Sequence, residues 1–242
     1  MRYGILSDVH SNREALDAVL AALNGDGVDC VLCGGDLVGY AAEPAACVDA
    51  VRAACHGVVA GNHDWAVVGK FPSDWFHEAA QAAIRWTAEH LGESTRQYLS
   101  DLPLTWSDSH VTLAHGTLHE PGAFHYLFDA GIAAESLAVQ RTPVAFVGHT
   151  HVPVTFMNEV SGDVRLLRGN VVHLQPGARY LVNVGSVGQP RDQHPEAAYC
   201  LYDTDRQRLE FRRVPYPVAQ VQAKIRAAGL PAWFADRLAR GA

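Results

Sequence analysis

Carboxylate and imidazole side chains follow short apolar runs in this 242-residue sequence. Asp8 and His10 come directly after the run Arg2–Leu6, and Asp36 follows two glycines after the run Val28–Leu32. Residues two apart in an extended chain share a face, so Asp8 and His10 can point in the same direction. Mixed carboxylate and imidazole ligands suit Mn, Fe, Zn or Ni better than Ca or Mg. The pattern therefore predicts a transition-metal site.

Three further groups of polar residues occur next to glycines: Asn62, His63 and Asp64; His115; and His149 with His151. The last two histidines repeat the two-residue spacing of the first pair. Any one group is common in sequences by chance. Five groups in order, each at the end of a predicted strand, predict one shared site.

The elements that must position these groups alternate between strand and helix. Predicted strands at 2–6, 28–32 and 58–60 are separated by helices, the first of which opens with a capping box at Ser11–Glu14. This alternation predicts an α/β sheet, whose ligands bind beyond the carboxyl ends of the strands. Later helices are expected at 45–55, 74–91, 94–100, 218–228 and 231–239.

Short β-rich segments follow Leu104. We expect a largely antiparallel second sheet from strands at 111–114, 144–147, 152–157, 164–167, 171–174, 180–184, 198–202 and 209–214. No repeat, low-complexity tract or linker divides the chain. We therefore expect one domain over residues 1–242, with two β layers covered by helices.

The charge balance and the cysteines limit the functional classes. Nineteen basic and 26 acidic residues give a formal charge of −7, which argues against a broad nucleic-acid surface but is compatible with a small phosphorylated substrate. Five irregularly spaced cysteines do not suggest a disulfide framework, and Cys30 and Cys33 are expected to be inert core thiols. No apolar run reaches the length of a membrane span or signal segment. We expect a cytoplasmic protein.

The five motifs, in this order, resemble those of the calcineurin-like metallophosphoesterases. The segments 35–40 and 183–192 further resemble the small bacterial and archaeal phosphodiesterase branch of that superfamily. The resemblance covers residues 8–192. It implies a four-layer α/β/β/α sandwich with two mixed sheets and a dinuclear metal site at the strand ends.

The resemblance also implies a ligand set. Asp36 would bridge two divalent ions. Asp8, His10 and His151 would complete one site, and Asn62, His115 and His149 the other. We expect manganese, with iron, nickel and zinc as alternatives. His63 would sit beside the substrate, and Asp64 would orient it.

The implied function is a phosphodiesterase that hydrolyses a small phosphodiester or a nucleotide. In this interpretation a hydroxide that bridges the metals attacks phosphorus, and His63 donates a proton to the leaving group. One alternative is hydrolysis of the phosphoanhydride of a dinucleoside polyphosphate. An alternative of another class is a non-catalytic metal-binding scaffold, against which the presence of His63 argues.

Two further residues are candidates for substrate contact. Asn12 begins the helix next to Asp8, and Arg191 lies in a Gly/Pro loop from which it can bind phosphate oxygens. The alternative for Arg191 is a solvated charge or a salt bridge to Asp192. Two roles are open to the aromatic residues Tyr40, Trp65, Trp75 and Tyr126: they can stack on a nucleobase or pack in the core, and packing is the expected role. Only His119 and His125, among the remaining histidines, are candidates to border the site. A homo-oligomer, with a patch around Trp233 and Phe234, is left open.

Overall fold

The computed structural model describes residues 1–159 and 161–242, which form twelve strands. They are β1 (Arg2–Leu6), β2 (Cys30–Cys33), β3 (Gly57–Val58), β4 (Thr105–Ser107), β5 (Val111–Ala114), β6 (Val144–Val147), β7 (Val154–Asn158), β8 (Val164–Leu167), β9 (Val171–His173), β10 (Arg179–Asn183), β11 (Ala197–Asp203) and β12 (Arg208–Val214).

Eight α-helices occur in the same described residues. They are α1 (Arg13–Gly25), α2 (Pro44–Ala54), α3 (Asn62–Val67), α4 (Glu78–His90), α5 (Glu93–Asp101), α6 (Ala130–Val139), α7 (Val218–Ala227) and α8 (Ala232–Leu238). Two short 3₁₀ turns lie at Ser73–Trp75 and Pro121–Ala123. None of the helices described is long and apolar enough to cross a membrane.

The strands form two six-stranded sheets. The first has the order β3-β2-β1-β11-β12-β9 and the second the order β4-β5-β6-β10-β7-β8. In the first sheet β1 pairs in parallel with β2 and antiparallel with β11, so that Ile5 lies between Leu32 and Cys200. In the second, β6 pairs in parallel with both β5 and β10, and β7 pairs antiparallel with β10. Both sheets are therefore mixed, as predicted.

Three apolar clusters define four layers. Alternate residues of the two sheets, such as Ile5 and Phe146, pack together in the core between them. The other face of the first sheet packs against helices through residues such as Leu16 and Val51. The other face of the second sheet packs against α6. The α/β/β/α sandwich that the sequence implied is confirmed.

The predicted second sheet is only partly correct. Strands β9, β11 and β12 belong to the first sheet, and β5, β6 and β10 run parallel to one another. The burial of β11 explains its position, because its first six residues are buried and it lies between β1 and β12. A strand buried on both faces belongs inside a sheet and not at a solvated edge.

The helix predictions were wrong at three places. The helix expected at 74–91 begins at Glu78, because His77 caps it by accepting a hydrogen bond from the Ala80 amide, and a 3₁₀ turn precedes it. Helices α3 and α6 were not predicted. The structure places Cys30 in the core between the sheets and Cys33 on the helix side. Burial raises the pKa of both thiols, as expected of inert core cysteines.

Candidate metal centre

The seven predicted ligands meet in one buried cluster at the strand ends. Asp8 and His10 follow β1, Asp36 follows β2, and Asn62 begins α3 just after β3; His115 follows β5, and His149 and His151 follow β6. None of the seven is more than 7% exposed. The sandwich therefore brings the ends of five strands from both sheets to one place.

The backbone at most of these residues is left-handed. Asp8, His10, Asp36, His149 and His151 have φ between 49° and 68°. Residues other than glycine rarely adopt this backbone conformation, and each one raises the free energy of the folded state by about 1 kcal/mol or more. Strain at five ligand positions must be offset elsewhere in the fold, and it indicates that these loops are shaped for a site.

Close packing of the loops holds this backbone in place. The amides of Asp8 and His10 donate to the carbonyl oxygens of Gly35 and Asp36, both at 2.9 Å. A side chain at Gly148 would collide with the Asp8 carboxylate. Only glycine at position 148 therefore lets β6 deliver His149 and His151 next to Asp8.

The predicted ligand atoms form two groups, and Asp36 lies close to both. In the first, Asp8 Oδ1 lies 3.2 Å from His151 Nε2, and His10 Nε2 lies 3.6 Å from Asp36 Oδ2. In the second, His115 Nε2 lies 3.3 Å from Asp36 Oδ2 and 3.2 Å from Asn62 Oδ1. Asp36, His115 and His149 offer ligand atoms within 4.8 Å of one another.

The hydrogen bonds of the histidines fit a cation. The Nδ1 atoms of His10, His115 and His151 donate to the main-chain oxygens of Val38, Gly34 and Gln189, at 3.0, 2.7 and 2.6 Å. In a neutral ring this leaves a lone pair on Nε2, yet the Nε2 atoms of His10 and His151 face each other at 3.1 Å. A positive ion between these lone pairs and the carboxylates satisfies all of them.

The electrostatics of the cluster also favour cations. Burial would raise the pKa of Asp8 and Asp36, but the neighbouring imidazoles outweigh it and hold both below the ordinary range. Burial would lower the pKa of His115, but Asp36 and Asp8 outweigh it and raise that pKa to about 9. The two carboxylates thus attract positive charge strongly.

His63 borders the cluster, but Asp64 does not orient it as expected. His63 Nε2 lies 2.9 Å from the Tyr40 hydroxyl. The Asp64 carboxylate instead accepts hydrogen bonds from the amides of Leu37, Val38 and Gly61. Asp64 occupies the third position of α3, from which a carboxylate reaches back to the helix start. It therefore fixes the loops of Asp36 and Asn62 rather than the imidazole.

Burial changes the protonation of His63. It lowers the pKa of the imidazole to about 4, with the positive charge of Arg191 acting in the same direction and Asp36 opposing both. In the protein as described, His63 is therefore neutral at pH 7.

Asn12, expected to contact substrate, has a structural role instead. Its Oδ1 accepts from the Ala15 amide and caps α1, and its Nδ2 donates to the Gly188 carbonyl at 2.9 Å. The side chain is fully buried and does not line the cleft over the cluster. The amide oxygen is thus used for helix capping, and the amide nitrogen for the contact with the 184–190 loop.

A cleft of about 490 Å³ opens over the cluster, and Arg191 lines it. Its guanidinium lies 3.3 Å from the Tyr40 hydroxyl, whereas Asp192 pairs with Arg213. The expected alternative of a salt bridge between Arg191 and Asp192 is therefore wrong. His125 also lines the cleft, while His119 faces Glu135 at 2.9 Å.

Aromatic residues form much of the cleft. Trp75 is 76% exposed and Tyr126 40% exposed, so packing is the wrong interpretation for Trp75. Tyr126 stacks on the His149 ring with a centroid distance of 3.9 Å. Tyr40 is buried, as expected, and Trp65 packs against the helix-side core.

The last helix supplies one residue, Arg237, that the sequence did not indicate. Arg237 and Trp233 of α8 line the cleft, while Phe234 is fully buried and cannot form a surface patch. The Arg237 guanidinium lies 4.3 Å from the centre of the Trp233 ring. No motif surrounds Arg237, so only the tertiary structure places it here.

Comparison with known proteins gives a consistent picture. The family model of the calcineurin-like phosphoesterase superfamily domain matches residues 1–207. An uncharacterized protein of Methanocaldococcus jannaschii is 36% identical over 241 residues, which are 98% of this chain and 97% of that protein.

Two solved structures cover the whole chain. A metallophosphoesterase from Sphaerobacter thermophilus is 40% identical, with a TM-score of 0.87 over 100% of this chain and 99% of its own. A hypothetical protein from Pyrococcus horikoshii shares the fold at 20% identity, with a TM-score of 0.81 over 100% and 98% of the chains. The chain therefore belongs to the calcineurin-like phosphoesterase superfamily and is a phosphoric ester hydrolase whose buried Asp and His residues can hold divalent metal ions.

Proposed function

We propose that this hydrolase is a dinuclear metal-dependent phosphodiesterase that acts on a small phosphodiester or a nucleotide. The observation that carries the proposal is the position of Asp36, whose Oδ2 lies 3.6 Å from His10 Nε2 of one proposed ligand group and 3.3 Å from His115 Nε2 of the other, and which lines the open cleft. A shared carboxylate is what two adjacent ions require.

The size and lining of the cleft support a nucleotide-sized substrate. Its volume of about 490 Å³ lies in the range of small-molecule sites, and aromatic side chains from four segments of the chain line it. The exposed rings of Trp75, Tyr126 and Trp233 offer flat apolar surfaces on which a base or an aryl group can stack. Monoesters of small alcohols would leave these surfaces uncovered.

Each ligand residue has a definite task in this proposal. Asp8, His10 and His151 would hold one ion, and Asn62, His115 and His149 the other, with Asp36 between them. Two bound ions would activate a water molecule and neutralise the phosphoryl oxygens. We propose manganese because the carboxylate and amide oxygens suit it, with iron, nickel and zinc, which imidazoles suit, as the alternatives.

His63 would donate a proton to the leaving oxygen. Its Nε2 faces Tyr40 and, beyond it, Arg191, both of which line the cleft. A neutral imidazole at pH 7 cannot protonate the leaving group as it stands. The anionic ester would favour the charged ring once it is bound beside His63, because a nearby negative charge raises the pKa of a histidine.

Turnover of matched aryl esters tests this function. We expect a higher kcat/KM for bis(4-nitrophenyl) phosphate than for 4-nitrophenyl phosphate when Mn is supplied. Parallel assays with Ni, Fe, Zn and Mg show whether Mn is preferred. A higher kcat/KM for the monoester with every metal would overturn the diesterase assignment.

A nucleotide panel separates the diesterase from the phosphoanhydride hydrolase. It contains cyclic nucleotides, dinucleoside monophosphates and dinucleoside polyphosphates at equal concentration. Faster hydrolysis of the polyphosphates would replace our proposal by the alternative. We further propose a cytoplasmic location, which the five free thiols support.

A further inference from the structure

Two arginines share one oxygen atom at the side of the cleft. The guanidinium groups of Arg191 and Arg237 lie 3.2 and 3.0 Å from Oε1 of Gln189. Arg237 is only 8% exposed, and Arg191 Nε is buried without a hydrogen-bond partner. Two positive charges are therefore held close together in a partly dry environment.

Neither arginine forms an ion pair with an aspartate or glutamate in residues 1–159 and 161–242. The nearest acidic residues in sequence are used elsewhere, since Asp192 pairs with Arg213 and Asp236 with Arg226. Arg237 otherwise contacts the main-chain oxygen of Ala242 and the Trp233 ring. Ala242 is the last residue of the sequence, so its terminal carboxylate supplies one anion for two cations. Buried charges are ordinarily paired, so the two arginines are still short of one negative charge.

The pair is built next to the reacting centre. Arg191 contacts the Tyr40 hydroxyl, which in turn contacts His63. The main-chain oxygen of Gln189 accepts from Nδ1 of His151, so Gln189 positions a ligand with its backbone and both arginines with its side chain. The arginines and the metal cluster line the same cleft.

The role of Arg237 is not explained by packing of α8 alone. Burial and the charge of Arg191 lower the pKa of Arg237 to about 10, which shows that its environment disfavours the cation, yet the group is still charged at pH 7. A leucine or methionine would fill the same position without that cost. Arg237 stays charged although burial and the neighbouring charge of Arg191 destabilise its cation. Such an arrangement is typical of a site that binds a negative group.

We propose that Arg191 and Arg237 bind a second phosphate of the substrate, one that is not hydrolysed. The preferred substrate is then a phosphodiester that carries a further phosphate group. This inference rests on the proposed phosphodiesterase function and extends it to a substrate class. It also gives a task to α8, which lies outside the residues 1–207 that the family model matches.

Three thymidine dinucleotides test the inference. They are dithymidine monophosphate and the same compound with an additional phosphate at its 5′ or its 3′ end. With Mn-loaded protein we expect at least one of the two phosphorylated compounds to have a kcat/KM about 10-fold or more above that of the parent, as a charge-assisted pair of hydrogen bonds gives.

Variants identify the residue responsible. Arg237→Met should reduce the preference for the phosphorylated compounds to within about two-fold. Arg237→Lys keeps the charge and should keep part of the preference. Arg240→Met changes an exposed arginine just beyond the same helix and is the matched control. Thermal unfolding of each variant shows whether it is folded.

Absence of any preference in the unaltered protein would overturn the inference. So would an equal loss on all three dinucleotides in Arg237→Met, because Arg237 would then act on the scissile phosphate or on the fold. Retention of the full preference in folded Arg237→Met would overturn it as well.

Binding separates this inference from the proposed function. Metal-loaded protein is titrated calorimetrically with thymidine 5′-monophosphate and with thymidine 3′,5′-bisphosphate. Tighter binding of the bisphosphate, lost in Arg237→Met, supports the second phosphate site even if no diester is hydrolysed, in which case only the diesterase assignment fails. Hydrolysis of the dinucleotides without preference, together with equal binding, overturns the inference and leaves the diesterase assignment standing.

Discussion

The Asp36 carboxylate and the His115 imidazole meet at 3.3 Å between Oδ2 and Nε2. Because His115 Nδ1 donates to the Gly34 carbonyl, a neutral His115 presents a lone pair to that carboxylate. Without a metal ion a proton on Nε2 would satisfy this contact, in line with the pKa of about 9 to which Asp36 and Asp8 raise His115, and a bound cation would take the place of that proton. Asp36 also approaches His10, so one carboxylate links the two halves of the cluster.

We predict that Asp36→Asn weakens both metal sites. Protein reconstituted with Mn should hold about two ions per chain, whereas the variant should hold fewer than about one, because an amide is a poorer bridge than a carboxylate. Elemental analysis measures both. Asp17→Asn, at a half-exposed position on α1, is the control. Unchanged metal content in Asp36→Asn would contradict the dinuclear proposal.

Removal of the metal ions should destabilise the fold. Asp8 and Asp36 would then lie near each other without a cation, and the free energy of metal binding to the native state would be lost. We expect the Tm to fall by about 5 to 15 °C after chelation and dialysis. Scanning calorimetry measures the change, and Mn readdition should reverse it. An identical Tm with and without metal would count against a metal-filled cluster.

We predict that His63→Gln retains its metal ions and loses activity according to the leaving group. General acid catalysis contributes ~10² to 10⁴-fold, so hydrolysis of a nucleoside diester should slow by a factor in that range, and that of a nitrophenyl diester by less. The measurement is kcat for both esters, with metal content determined in parallel.

Tyr40→Phe is the matched variant for this test, because it removes the hydroxyl next to Nε2 and keeps the imidazole. It should slow hydrolysis less than His63→Gln does. Equal losses on both esters in His63→Gln would indicate a role at the phosphoryl group, and a parallel loss of metal would make His63 a ligand.

A pH-dependent contribution to stability is expected from Tyr3. Its hydroxyl donates to Asp108 Oδ2 at 2.6 Å and so connects β1 to the turn that precedes β5 in the other sheet. Burial would raise the pKa of Asp108, but hydrogen bonds from Tyr3 and from the amides of His110 and Val111 outweigh it and lower that pKa.

Tyr3→Phe should therefore reduce the free energy of unfolding by about 1 kcal/mol at pH 7, less than is usual for a hydrogen bond to a charged group, because Asp108 is partly solvated. The depressed pKa means that this stabilisation is present above the ordinary value of 3.8 and is lost as the pH falls through the folded-state pKa. Urea unfolding of both proteins from pH 7 to pH 3 measures it. If the difference in unfolding free energy between the two proteins stayed constant with pH, the Asp108 carboxylate would be excluded as its source. Asp108→Asn, alone and in the Tyr3→Phe background, completes the double-mutant cycle.

Local sequence patterns predicted the individual strands better than their partners. Strands β1, β5, β6 and β8 begin and end where the apolar runs do. The sheet to which each strand belongs depends on contacts between residues that are far apart in sequence. For this reason β11 and β12 were assigned to the wrong sheet. Helix α6 was missed because its own residues are mostly apolar on the exposed face as well as on the buried one, which leaves no 3.6-residue period in the sequence.

In the candidate site, too, local sequence patterns identified some residues correctly and missed others. The ligand groups were found because each is short, follows a strand and belongs to a set with a recognisable order. Asn12 was misjudged because the residue type that can contact a phosphate is also a good helix cap, and burial decides between these roles. Arg237 has no such local signal and reaches the cleft only through the packing of α8.

The separation along the chain between the metal cluster and α8 has an evolutionary consequence. The predicted ligands lie between residues 8 and 151, and Arg237 lies beyond the segment matched by the family model. Under our proposal for Arg237, mutations in the last helix would change substrate preference and leave the predicted metal ligands unaltered. We expect members of this family to diverge in specificity first through their C-terminal segments, with exchange of those segments between relatives as a route to new substrates.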